Sequence, residues 1–153
     1  MSHLLSRDTF CRFELVEARV TTFSSFQADG RIHPDYYDTG TFAQGEIPAF
    51  AQWETIQPFI YSLVRGHQPP LSMKIILRLP AAGYAKLTAS AGMQIRPEQI
   101  DGLYLNIAYD RSGITCTTGV SISVFTLDKS LEHTWDEMVR KFLQKKEIPF
   151  TVC

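Results

Sequence analysis

The residues best suited to chemistry lie in one segment of ten residues, from Asp29 to Asp38. It gathers three carboxylates, a histidine, an arginine and two tyrosines. The residues with a possible role in binding or catalysis are Arg31, His33, Asp35, Tyr36, Tyr37 and Asp38. Histidine and carboxylates exchange protons or bind metals near neutral pH, and tyrosines offer a flat amphipathic surface. Three interpretations are open: a polar loop anchored by its tyrosines, a contact surface, or an acid/base or metal site.

The spacing of these residues matches no known metal loop, because an EF-hand needs acceptors at fixed odd positions, a central glycine and a closing glutamate. The other histidines are His3, His67 and His133. None of them has a second histidine at the H-x-x-x-H spacing that places two imidazoles on one helix face. The chain also lacks a phosphate-binding glycine loop and a G-x-S-x-G elbow. We therefore expect neither a metal nor a cofactor.

The three cysteines are Cys11, Cys116 and Cys153, far apart in the sequence and without a C-x-x-C pair. A thiolate nucleophile needs a basic neighbour or a helix N-terminus. Cys116 lies instead inside a predicted strand, so we expect a small buried thiol. Free thiols, no intramolecular disulfide and a reducing cytoplasm are the simplest expectation.

Most of the secondary structure that the sequence predicts around the candidate residues is β-strand. Two β-rich runs, Leu103–Tyr109 and Ile114–Phe125, flank a short polar turn with a glycine and predict a hairpin. Phe13–Phe26 predicts a long strand with a bend or bulge near Thr21 and Thr22, followed by a turn at Asp29-Gly30. Leu71–Leu79 alternates apolar and polar residues, as in an antiparallel sheet with one buried face.

Two amphipathic helices are predicted. The first covers Ala49–Arg65, where Pro58 should either kink the helix or begin a second one. The second is centred on 131–143. Its apolar stripe consists of Leu131, Trp135, Met138, Val139 and Phe142. It starts either at a capping box from Thr134 to Glu137 or earlier, capped by Asp128 or Ser130. The tail Ile148–Cys153 should form a short strand or dock on the core.

Composition favours an ordinary globular domain. The chain has 153 residues, 44% hydrophobic and 20% charged, with a net charge of −1. We therefore expect one domain over residues 1–153 and no general attraction to nucleic acid. No run approaches the ~20 apolar residues of a spanning helix, so we expect no membrane association. The predicted fold class is α+β, an antiparallel sheet of about five strands with the two main helices packed on one face.

Several segments together resemble a small bacterial family of unknown function. These segments are Phe26–Gly30, Tyr37–Thr39, Trp53–Gly66, Thr117–Gly119 and Phe125–Asp136. The resemblance implies a bacterial, cytoplasmic protein and no particular activity. Such families usually carry an additional N-terminal helix, and here only His3–Asp8 precede the first strand.

The leading functional hypothesis is a non-enzymatic binding or interaction module that contacts an unidentified protein or small molecule through residues 31–38. The alternative is a small enzyme that uses His33, Asp35 or Asp38 as its acid or base. A pocket with convergent polar groups at the loop would favour the enzyme. A flat, exposed tyrosine surface would favour the binding module.

Overall fold

The fold is built on a five-stranded antiparallel sheet. A computed structural model describes residues 1–37, 47–66, 68–90 and 95–153. The strands are β1 (Glu14–Thr21), β2 (Ser25–Asp29), β3 (Ser72–Arg78), β4 (Ile100–Asp110) and β5 (Gly113–Ile122), in the order β2-β1-β3-β4-β5. The predicted α+β class is confirmed.

In the described ranges, four α-helices accompany the sheet: α1 (Ser2–Leu5), α2 (Trp53–Val64), α3 (Tyr84–Ser90) and α4 (Ser130–Lys145). Short 3-10 turns cover Asp8–Phe10, Pro34–Tyr36, Ala81–Gly83 and Pro97–Gln99. Among the described residues before β1, Ser2–Leu5 form an α-helix of four residues. That α2 and α4 lie on one face of the sheet stays a prediction.

The chain forms two compact units. The first consists of Met1–Arg78 and Asn106–Cys116, and the second of Leu79–Leu105 and Thr117–Cys153. The expectation of a single domain over residues 1–153 stays a prediction.

In the first unit, β1 and β3 share one buried face. Leu15 pairs with Leu77 and Ala18 with Ile75, and all four side chains are fully buried. Residues three apart in a regular strand face opposite sides. Leu15 and Ala18 share a side because a bulge at Val16 adds one residue between them.

The single long strand predicted over Phe13–Phe26 is wrong, because the bend expected near Thr21 and Thr22 reverses the chain. β1 ends at Thr21, and the Thr22 N–H donates to the Ser24 carbonyl at 2.9 Å in a tight turn. β2 then returns beside β1, with Thr21 opposite Ser25. The long β-rich run is therefore a hairpin with a bulge near its start.

The first residues of the predicted helix Ala49–Arg65 are extended, and α2 begins only at Trp53. The backbone N–H and carbonyl groups of these residues form strand-like hydrogen bonds with neighbouring segments. The Leu15 N–H donates to the Ala51 carbonyl at 2.8 Å, and the Ala51 N–H donates to the Gly30 carbonyl at 2.7 Å. A peptide group that pairs sideways in this way cannot also join a helix.

Helix α2 holds α1 against the first unit through two side chains. Trp53 is fully buried, and its Nε1–H donates to the Leu4 carbonyl at 3.1 Å. The Gln57 amide donates to the carbonyls of Leu4 and Arg7, both at 2.8 Å. Pro58 lies inside this continuous helix, so the alternative that it begins a second helix is wrong.

In the second unit, α4 begins at Ser130, the earlier of the two predicted starts. The Asp128 carboxylate accepts the Ser130 N–H at 2.9 Å, just before the first turn. The buried stripe of α4 is Leu131, Trp135, Val139 and Leu143. Met138 is 39% exposed, so its assignment to the stripe is wrong.

The end of α4 closes with two hydrogen bonds around Glu147, which has a φ of 58°. The Glu147 N–H donates to the Gln144 carbonyl and the Ile148 N–H to the Leu143 carbonyl. This is the Schellman arrangement. Residues 149–153 are exposed and form no strand, so the expected strand in the tail is wrong.

Candidate functional site

The predicted contact segment, Arg31–Asp38, is called the aromatic-acidic loop below. It leaves β2 and is fixed at its start by two hydrogen bonds. The Arg31 N–H donates to an Asp29 carboxylate oxygen at 2.9 Å, and the Ile32 N–H donates to the Ala49 carbonyl at 3.0 Å. Arg31 also forms an isolated antiparallel bridge with Phe50. The start of the loop is therefore an extension of the sheet.

A 3-10 turn from Pro34 to Tyr36 then presents the two tyrosines. The N–H groups of Tyr36 and Tyr37 donate to the carbonyls of His33 and Pro34, both at 3.1 Å. The two rings meet edge to face with centroids 5.5 Å apart. Tyr36 is 85% exposed, whereas Tyr37 is half-buried. One ring thus supports the other, which projects from the surface.

The remaining candidates of the loop do not form a catalytic arrangement among the described residues. Arg31, His33 and Asp35 are all exposed. Within the described ranges, no hydrogen bond or ion pair joins the side chains of His33 and Asp35 to each other. Asp38 lies outside the described residues. No group of three or more metal-binding side chains occurs in the parts of the chain that the structure describes.

The sequence reasoning missed a charged cluster close to the start of the loop. The Arg78 Nε lies 3.3 Å from a Glu14 carboxylate oxygen, and each side chain is only 13% exposed. The Arg78 guanidinium also stacks over the Phe50 ring, 4.7 Å from its centroid. Burial raises the pKa of Glu14 above its usual 4.5, and the nearby Arg78 opposes that shift.

This cluster links the sheet to the loop, because Phe50 is both the partner of Arg31 and the platform for Arg78. Glu14 and Arg78 are opposite each other in the β1–β3 register. The strand patterns contained half of the signal. Arg78 falls on the polar side of its strand, whereas Glu14 alternates with the apolar residues Val16 and Ala18. Their pairing required the bulge at Val16, which the pattern did not locate.

A shallow cleft of about 590 Å³ lies elsewhere in the first unit. It is lined by Thr22, Phe23, Gln68, Pro69, Leu71, Tyr109 and Arg111. None of these residues belongs to the aromatic-acidic loop. A pocket formed by the loop was the feature that would have favoured an enzyme, and this cleft does not supply it.

Cys116 is exposed on β5, so the expectation of a buried thiol is wrong. The prediction inferred burial from a position inside a strand, whereas β5 is an edge strand whose first five residues are exposed. Neighbouring protein atoms desolvate the sulfur and raise the pKa of the Cys116 thiol. A raised pKa lowers the thiolate fraction, the opposite of what a nucleophile requires.

Comparison with known proteins identifies a family without assigning a reaction. No helix in the described ranges combines the length and the apolar character needed to cross a bilayer. Neither a curated protein nor a solved structure matches the chain. The model of a family of unknown function, DUF5721, matches residues 3–151. The chain therefore belongs to the family of unknown function DUF5721, as the sequence resemblance implied.

Proposed function

We propose that the protein is a binding module and that the aromatic-acidic loop is its contact surface for a protein or small-molecule partner. The observation that carries this proposal is the 85% exposure of Tyr36. A large ring held in water gains stability when a partner covers it, and tyrosine is enriched at the centres of interfaces.

The support beneath Tyr36 strengthens the proposal. Pro34 restricts the backbone of the turn, and the half-buried Tyr37 packs against the Tyr36 ring. Hydrogen bonds at Arg31 and Ile32 hold the start of the loop to neighbouring backbone and side-chain groups. A contact residue that is already ordered loses less conformational entropy when it binds.

The charges around Tyr36 suit a polar rim. Arg31, His33 and Asp35 are exposed on the same short segment, so hydrogen bonds and ion pairs could surround the aromatic contact. Exposed charges at a rim contribute mainly to specificity and association rate. The competing assignment is an enzyme that uses His33, Asp35 or Asp38 as its acid or base. It has less support, because His33 and Asp35 are both exposed and their side chains do not form a hydrogen bond with each other.

The test places a photo-crosslinking amino acid at position 36 in living cells of the source organism. The matched control carries it at Phe23, which is 94% exposed but lies in the β1–β2 turn. We expect a discrete crosslinked species from position 36 alone. This crosslinked species should become weaker when Asp35→Asn and Tyr37→Phe are added, because both residues belong to the proposed contact surface.

A second measurement separates binding from folding. Tyr36→Ala should change the free energy of unfolding by less than about 1 kcal/mol, as for most exposed side chains. The proposal fails if Tyr36→Ala destabilises the protein strongly, or if positions 36 and 23 give the same crosslinks. A turnover that His33→Ala removes from a folded protein would favour the enzyme instead.

A further inference from the structure

The cleft in the first compact unit lies where the buried rows of three strands end. Residues two apart in a strand face the same side. The outermost buried side chains of these rows, on β1, β3 and β4, are Val20, Met73 and Ile107. The residues that come next on the same side, and that line the cleft, are Thr22, Leu71 and Tyr109. The cleft therefore continues the apolar core of this unit to its surface.

Two short segments form the sides of the cleft, and contacts with the strands hold both of them in place. The connection from α2 to β3 supplies Gln68, and the Leu71 N–H at its end donates to the Thr21 carbonyl at 2.8 Å. The β1–β2 turn supplies Phe23, whose ring meets Phe26 edge to face with centroids 5.8 Å apart. The walls are therefore formed before a ligand arrives, as in most small-molecule sites.

The polar side chains of the cleft can all donate hydrogen bonds. They are those of Thr22, Gln68, Tyr109 and Arg111. None of these side chains forms a hydrogen bond or an ion pair with another described residue. The described lining contains no carboxylate, so Arg111 gives the cleft a single positive charge. The complementary ligand group is an acceptor with one negative charge.

The neighbouring carboxylate of Asp110 does not compete for this donor set. Successive residues of a strand face opposite sides, so Asp110 lies on the other side of β4 from Tyr109. Its carboxylate accepts the Ser112 N–H at 2.8 Å and also accepts the Ser112 hydroxyl. Asp110 therefore has its own partners within the β4–β5 turn.

We propose that this cleft binds a small organic acid whose carboxylate pairs with Arg111 and whose apolar body lies against Phe23 and Leu71. The planar guanidinium donates two parallel hydrogen bonds to a carboxylate, which matches it in shape and in charge. The Tyr109 hydroxyl and the Gln68 amide supply further donors to the same group. A phosphate dianion would leave one of its two charges without a partner in this lining.

The apolar half of the cleft explains why the ligand is an acid with an apolar body and not a bare anion. Phe23 is 94% exposed and Leu71 is 46% exposed, and Pro69 lies beside them in the lining. Covering these side chains removes apolar surface from water, which favours binding. The volume of about 590 Å³ is in the range of small-molecule sites.

This inference concerns a different surface from the aromatic-acidic loop, and it does not depend on the function proposed for that loop. A small acid bound at Phe23 would add no protein-sized adduct to a crosslinker at position 23. That position therefore remains a valid control for crosslinks of Tyr36 to a partner protein.

The test titrates the natural protein with 3-phenylpropionate at neutral pH and follows backbone amide signals by nuclear magnetic resonance. We expect saturable shifts at Phe23, Gln68 and Arg111, with a dissociation constant of about 1 mM or lower for so small a ligand. The matched probe is 3-phenylpropanamide, which has the same shape but no charge. It should bind at least about tenfold more weakly, because the charge-assisted hydrogen bonds are lost.

Three variants assign the contacts of the two probes. Arg111→Gln should weaken binding of the acid to the level of the amide, whereas Phe23→Ala should weaken both probes by the same factor. The matched control is Arg12→Gln, which removes an exposed arginine just before the start of β1, at the end of the strand away from the cleft. It should leave both dissociation constants unchanged. If Arg111→Gln is unfolded, the acid–amide comparison on the natural protein decides alone.

Each of three results would overturn the proposal. The first is the absence of saturable shifts at the cleft with 3-phenylpropionate. The second is equal affinity for the acid and the amide, or an equal loss of acid binding in Arg12→Gln and Arg111→Gln. The third is tighter binding of phenyl phosphate than of the acid, which would assign the cleft to phosphate esters.

Discussion

At the scale of single residues, Gly30 is explained by the close approach of another strand and not by the conformational freedom that a turn requires. The sequence predicts a turn at Asp29-Gly30. The Asp29 carboxylate accepts the Arg31 N–H there, in the pattern of an Asx-turn, and Arg31 then bridges to Phe50. Gly30 is required by close approach. A Cβ at this position would lie 1.7 Å from the Leu15 carbonyl oxygen. Neither strand can move away easily, since the Gly30 N–H donates to the Val16 carbonyl at 3.0 Å.

Gly30→Ala should therefore lower the free energy of unfolding by more than about 2 kcal/mol, because overpacking against backbone forces the strands apart. Urea denaturation measures the change. Gly66→Ala is the matched control: Gly66 has a φ of 143° and nothing within 4 Å of an added Cβ. The control carries backbone strain without a collision, so it should cost less. Equal losses at the two positions would contradict the close-approach explanation.

A second prediction at the residue scale concerns Glu14. Burial raises the pKa of its carboxyl in the folded protein, and the nearby Arg78 opposes that rise. A folded state that holds a proton more tightly than the unfolded state is favoured at low pH. The contribution of Glu14 to stability is thus fully present below its unfolded pKa. It is lost as the pH rises through the raised folded value.

Glu14→Gln removes this titration while it keeps a side chain of similar size opposite Arg78. We expect the stability of the natural protein, relative to the variant, to fall as the pH rises from about 4 towards neutrality. Thermal denaturation of both proteins across this range measures the difference. The attraction between Arg78 and the ionised Glu14 carboxylate is already part of this slope, because it acts only after the carboxyl has lost its proton. If the stability of the natural protein relative to the variant rises with pH instead, the attraction of Arg78 outweighs the effect of burial on the Glu14 carboxyl.

At the scale of elements, α4 shows what periodicity can and cannot specify. The existence of the helix and the burial of Trp135 follow from the pattern of 131–143, whereas the pattern leaves its start open between two positions. The exact orientation does not follow from the pattern, because a broad apolar sector can turn without changing its sequence. The Trp135 Nε1–H donates to the Tyr104 carbonyl at 3.0 Å, and this bond helps to orient the helix. The contact sector is turned towards Leu143, which leaves Met138 at the outer edge.

Trp135→Ala should cost about 3–5 kcal/mol in the free energy of unfolding, because Trp135 is 1% exposed and a cavity would remain. Met138→Ala is the matched control on the same helix and should cost less than about 1 kcal/mol. Chemical denaturation of both variants gives the comparison. Similar losses would mean that Met138 belongs to the packed stripe after all.

At the scale of the whole molecule, the three cysteines provide a test of which thiols are free and accessible to reagents. Cys116 and Cys153 are exposed and Cys11 is half-buried, and all three are free. We predict that alkylation of the native protein modifies all three thiols and that no intramolecular disulfide forms. Cys153 should react faster than Cys116, because desolvation raises the Cys116 pKa and lowers its thiolate fraction.

Mass spectrometry of protein alkylated before unfolding measures the extent at each cysteine. Repeating the reaction at higher pH is the control, since it should narrow the difference between Cys153 and Cys116. A stoichiometric Cys11–Cys116 or Cys116–Cys153 bridge would contradict both the thiol assignment and the expectation of a reducing compartment.

The candidate site was only partly accessible from the sequence. The density of tyrosine and charge in the aromatic-acidic loop is a local property, so the segment could be found by inspection. The exposure of Tyr36 and the half-burial of Tyr37 were not predictable, since adjacent tyrosines carry the same local signal. The Glu14–Arg78–Phe50 cluster joins residues from β1, β3 and the segment before α2, and such proximity is decided by strand register.

The sequence by itself determined the elements that depend on neighbours a few residues apart. These include the β4–β5 hairpin, the alternation of β3 and the amphipathic helices α2 and α4, since side-chain period and turn chemistry are local. Tertiary structure decided the bulge at Val16, the late start of α2 and the position of β5 at the sheet edge. Each of these depends on which distant backbone groups supply the hydrogen bonds, and that choice is made only when the strands assemble.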